Sequence, residues 1–93
     1  MGRVEKKLFA IADALQALAE EEALVAAELN AHMHIDDDAQ RDAVVTGTNL
    51  DRLEASSTAA DVRRFRRRLD QIAAKRQRLE AKRAMLLPRV MDN

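Results

Sequence analysis

Ninety-three residues make one domain at most and can bury only a thin core. The chain has no cysteine, which excludes disulfides, a thiol nucleophile and a zinc ribbon. Two Gly, one Pro and a charged fraction of 34% give it the composition of long helices. Net charge is zero, but residues 1–60 hold five basic and twelve acidic side chains, whereas residues 61–93 hold eleven and four. Two such halves either neutralise each other side by side or leave the basic half for nucleic acid.

No apolar run is long enough to cross a bilayer, and the first residues lack the pattern of a signal peptide. Gly2 is followed by Lys6 where a myristoylation signal needs Ser or Thr. These features predict a cytoplasmic protein without a membrane partner. Twelve Arg against four Lys, with abundant Ala, have the flavour of a GC-rich bacterial genome.

Taken in order, the first helix is expected over about 3–45. Its seam is Val4, Leu8, Ile11, Leu15, Leu18, Glu22, Val25, Leu29 and His32, carried on through Ala39 and Ala43. Thr46, Gly47, Thr48 and Asn49 are the clearest break. A tip is expected over 46–57, and Thr58 with Asp61 reads as a capping box for a second helix over about 58–87. That helix repeats Val62, Phe65, Leu69, Ile72, Arg76, Leu79, Arg83 and Leu86 at heptad spacing. Pro88 ends it and leaves a frayed tail over 88–93.

Two heptad helices with one short connection predict an all-α fold. Residues 1–93 form a single helical domain, an antiparallel coiled-coil hairpin. An alternative folds Asp36–Ala55 back as a short third helix. Matching the two seams places the turn at Leu50–Asp51, with Leu15 opposite Leu86, Leu29 opposite Ile72 and Ala39 opposite Val62. Glu22, Arg76 and Arg83 then meet in the seam as an aligning cluster. One flank in this register carries Ala12, Ala19, Ala26, Ala73 and Leu87, small enough for another helix to approach closely. This predicts a homodimer, completed as a helical bundle, or docking on a protein partner.

Three constellations bear on chemistry. His32, His34, Asp36 and Asp38 offer metal-ligand types, although histidines at i and i+2 diverge on a helix and read more simply as a polar patch. Arg63, Arg64, Arg66, Arg67 and Arg68 can bind phosphate, yet there is no Tyr or Trp to stack on bases, and both Phe residues suit packing. No nucleophile–base pair is visible, and no cofactor motif. The all-helical chorismate mutases are of this size, but they need basic side chains on the first helix, where none lies between Lys7 and Arg41.

The stretch Asn49-Leu50-Asp51-Arg52, placed at the expected tip before a long basic helix, resembles the coiled-coil half of the DksA/TraR and Gre class of bacterial factors. The likeness covers roughly residues 36–87. It implies insertion of the tip into the secondary channel of RNA polymerase, with Asp51 as the acting residue beside Arg52. The chain departs from that class at Leu53, where the tip pattern has Ala, and in having neither its zinc ribbon nor a Gre-type globular domain. The leading expectation is a non-enzymatic interaction protein. Transcription regulation through the tip, and nucleic-acid binding through the arginines, are the alternatives.

Overall fold

The computed structural model describes residues 2–91. It is all-α: α1 spans Arg3–Thr46 and α2 spans Asn49–Met91, packed as a hairpin. Gly2 caps α1. Its N–H donates to Glu5 Oε2 at 2.5 Å and its carbonyl accepts from Lys6 at 3.1 Å, so Glu5 sits where the positive end of the helix dipole favours a carboxylate. No helix among the described residues is long and apolar enough to cross a membrane.

The connection is shorter than the expected tip. It consists of Gly47 and Thr48 alone, and α2 begins at Asn49 rather than at Thr58. Gly47 has φ of 63° and donates its N–H to the Ala43 carbonyl at 2.9 Å, the left-handed stop that glycine adopts without strain. Thr48 is the cap of α2, since its Oγ1 accepts the Asp51 N–H at 3.2 Å. The capping pair is thus Thr48 with Asp51, not Thr58 with Asp61. Thr58 lies inside α2 and is buried. The alternative of a third helix is overturned as well, because α1 runs unbroken through Asp36–Asp38 and Ala55 belongs to α2.

Pro88 does not end α2, which continues to Met91. A proline in the last turn withdraws only one backbone donor, and the carbonyl it leaves unpartnered belongs to the exposed Ala84. Residues 88–91 are therefore helical rather than frayed, and residues 92 and 93 lie outside the described residues.

The hairpin divides into two compact units, Met1–Glu22 with Asp70–Asn93, and Ala23–Leu69. We call them the terminal unit and the turn unit. In the terminal unit Ile11, Leu18, Ile72 and Leu86 are buried. In the turn unit the buried positions are Ala39, Ala55, Thr58 and Val62. Every expected seam position among the described residues is buried or half-buried except Arg83, which is exposed. Glu22 pairs with Arg76 across the terminal unit, and Arg83 is not part of the expected cluster.

Register is where expectation and structure part. With the turn at Leu50–Asp51, Asp36 would face Phe65. Instead the Thr58 hydroxyl lies 2.8 Å from Asp36 Oδ1, one heptad nearer the turn. Gln40 Nε2 likewise reaches the Ala55 carbonyl at 2.8 Å. The expected Ala39–Val62 layer is displaced with them. A slip of one heptad returns the same residues to the seam, so periodicity identifies the face and leaves the pairing open.

Candidate functional site

The surfaces of the turn unit follow from that register. On the seam, Asp36 Oδ1 accepts from Gln40 at 2.9 Å and from Thr58 at 2.8 Å. The Gln40 amide also donates to the Ala55 carbonyl, so one side chain ties both helices. These two hydrogen bonds, Gln40 first and Thr58 second, hold the Asp36 carboxyl below its ordinary range, helped by the nearby charges of Arg63 and Arg66. His32 stacks on Phe65 with ring centroids 4.7 Å apart and lies 3.8 Å from Glu28.

The proposed metal ligands do not converge. His32 is turned to Phe65, Asp36 to Thr58, and Asp38 pairs with Arg41 at 3.5 Å, while His34 is exposed. Among the described residues no group of three or more His, Asp or Glu side chains could hold a metal ion.

Asp51, at the tip of the RNA polymerase resemblance, sits in the first turn of α2. Its carboxylate accepts a hydrogen bond from the Thr46 hydroxyl, and Thr46 Oγ1 also accepts from the Thr48 N–H at 3.3 Å. The group is engaged in closing the hairpin. Arg52 is exposed beside it. Asp51 also lines an open cavity of about 360 Å³ beside the turn, together with Asp38, Asp42 and Glu54. Ile35, Ala39 and Leu50 complete its wall. Sequence reading missed this groove, because the register it used sets Asp42 nearer Asp61 than Glu54.

All five arginines of the basic cluster are exposed. Arg64 pairs with Asp61 at 3.3 Å and its guanidinium lies 5.4 Å from the Phe65 ring centroid. Arg63, Arg66 and Arg67 form no ion pair among the described residues, and neither do Asp42 and Glu54 in the groove.

The alanine flank is open to solvent. Ala12, Ala19 and Leu87 in the terminal unit and Ala26 in the turn unit are exposed, with Ala73 half-buried. Large apolar side chains also stand in water, among them Leu24 at 70% and Phe9 at 59% exposure. Phe9 therefore does not pack in the hairpin, contrary to expectation; it lies one position past the seam residue Leu8.

Fold and surfaces together define an all-α helical hairpin whose exposed residues include large apolar side chains as well as charges. Compared with known proteins, the chain matches no family model, no curated protein and no solved structure.

Proposed function

We propose that this protein is a non-enzymatic interaction module that works by protein–protein association, first with a second copy of itself. One observation carries the reading: among the described residues ten large apolar side chains are exposed, while no large side chain is fully buried. Water disfavours that distribution, and covering those side chains gains back what the thin core leaves unused. In the terminal unit Ala12, Ala19, Ala73 and Leu87 offer a seam for this association, and in the turn unit Ala26 does, because alanine lets a second helix approach closely. The Arg-rich, Ala-rich and cysteine-free composition supports a bacterial cytoplasmic setting.

Sedimentation equilibrium of the full chain tests the reading. Ala19→Glu or Ala26→Glu is expected to weaken self-association by about tenfold or more, because each buries a carboxylate in the seam. Association unchanged by both substitutions would contradict it.

A second reading draws on the four carboxylates beside the turn, which suit a tip that acts in the secondary channel of RNA polymerase. Asp51→Asn in a transcription assay is its test, and an unaltered effect on transcription would remove it.

A further inference from the structure

The two edges of the turn unit carry opposite charge. By the heptad positions, the edge that holds Ala26 and Met33 on α1 holds Arg52, Arg63 and Arg66 on α2, with Arg67 next to them on the outer face. The charges of Arg63 and Arg66 reach the Asp36 carboxylate in the seam, whereas Arg64 is paired with Asp61, which belongs to the opposite edge. Arg52, Arg63, Arg66 and Arg67 are exposed and form no ion pair among the described residues. Apart from Asp36, whose carboxylate already accepts two hydrogen bonds, Asp37 is the one acidic residue that the turn unit places on this edge. The opposite edge opens on the groove beside the turn and holds Glu28, Asp38, Asp42, Glu54 and Asp61.

We propose that the arginine edge of the turn unit binds the phosphate backbone of a nucleic-acid duplex, by charge and without reading its sequence. Arginine suits phosphate because the guanidinium fork donates two parallel hydrogen bonds to it. From Arg52 to Arg67 the cations cover about 22 Å of helix. Each strand of a duplex presents a phosphate about every 3.4 Å along its axis, so each arginine has an acceptor within reach. The acidic edge repels the same backbone, which leaves one side of the unit for the duplex.

A duplex is favoured over a single strand because the chain has no Tyr or Trp to stack on bases, and Phe65 is half-buried against His32. It is favoured over a protein or a lipid surface by what surrounds the arginines. Ala26, Asn30 and Ala59 on this edge are small or polar. Its exposed large apolar side chains are Met33, at 38%, and Val44 near the turn, whereas Leu24, Ile35, Val45 and Leu50 fall on the acidic edge. Protein and membrane partners need apolar anchors, and phosphates do not. This binding goes beyond the self-association reading and does not rest on it. Ala26 lies on the arginine edge, so there a duplex and a second copy are alternatives, while the seam of the terminal unit stays available.

The test is fluorescence anisotropy of labelled duplexes of roughly 20 base pairs, one of DNA and one of RNA, titrated with the full chain. Circular dichroism confirms that each variant stays helical. With about three phosphates neutralised, affinity should fall about fortyfold between roughly 0.05 M and 0.2 M salt. Arg63→Ala with Arg67→Ala should weaken binding about tenfold or more at the lower salt. Arg64→Ala with Arg68→Ala removes the same charge from the other side and should change it less than about threefold. Binding of either duplex in this pattern supports the assignment and names the source of the phosphates. Three results would overturn it: no duplex binding at the lower salt, an affinity indifferent to salt, or equal losses from the two variant pairs, which would reduce the effect to net charge. Binding to phosphatidylserine vesicles or to polyglutamate, with both duplexes unbound, would also overturn it and give the edge to a lipid surface or to an acidic protein.

Discussion

The two units of the hairpin are held by different means. The terminal unit buries Ile11, Leu18, Ile72 and Leu86, large aliphatic side chains that gain from leaving water, and adds one half-buried ion pair between Glu22 and Arg76. The turn unit buries Ala39, Ala55, Thr58 and Val62, and ties its helices with the hydrogen bonds among Asp36, Gln40, Thr58 and the Ala55 carbonyl. Aliphatic burial is large and tolerant of small shifts. Hydrogen bonds are individually weaker but geometrically demanding. Bulk stability thus resides in the terminal unit, and register is set in the turn unit, where only one pairing satisfies Asp36 and Gln40 together.

This contrast can be broken from either side. The largest effect is expected from Ile72→Ala, which empties the most buried position among the described residues, at 2% exposure. It should cost about 2–5 kcal/mol in urea unfolding. A cost under about 1 kcal/mol would mean that the terminal seam is not the stability core. Next comes Gly47→Ala, which forces a side chain into left-handed backbone and should cost about 1–2 kcal/mol by the same measurement.

Thr58→Val keeps the shape and removes the hydroxyl that donates to Asp36, for an expected loss of about 1 kcal/mol. Its signature is pH dependence. The Asp36 carboxyl is held below its ordinary value of 3.8 by the Gln40 and Thr58 hydrogen bonds. Its contribution is therefore complete above that value and is lost as pH falls through the lowered one. Thr58→Val should shrink the acid loss seen by circular dichroism. An identical acid transition would separate Thr58 from the titration. The smallest effect is expected from Glu22→Gln, about 0.2–1 kcal/mol and fading with salt, because the pair it breaks is half exposed.

The seam was legible from residue types, since every heptad position among the described residues except Arg83 becomes buried or half-buried, although the buried Ala55 and Thr58 lie outside the expected heptads. The turn was half legible. Thr46, Gly47, Thr48 and Asn49 stand out as a break, but Ser56, Ser57 and Thr58 are also good caps and poor helix formers. Burial of Ala55 and Thr58 in the seam overrides that local preference and keeps 49–57 helical. The register was not legible, because a slip of one heptad preserves every apolar layer. What decides it is a set of single polar contacts, Asp36 to Thr58 and Gln40 to Ala55, that leave no periodic trace. The acidic groove depends on the same register and was hidden with it.

Because the surfaces of the turn unit follow from this pairing, the most direct measurement is a short thiol cross-link between cysteines placed at Asp36 and Thr58. The account predicts rapid cross-linking within one chain for Asp36→Cys with Thr58→Cys, and much slower cross-linking for Asp36→Cys with Phe65→Cys. The reverse order would contradict the register and, with it, the groove beside the turn.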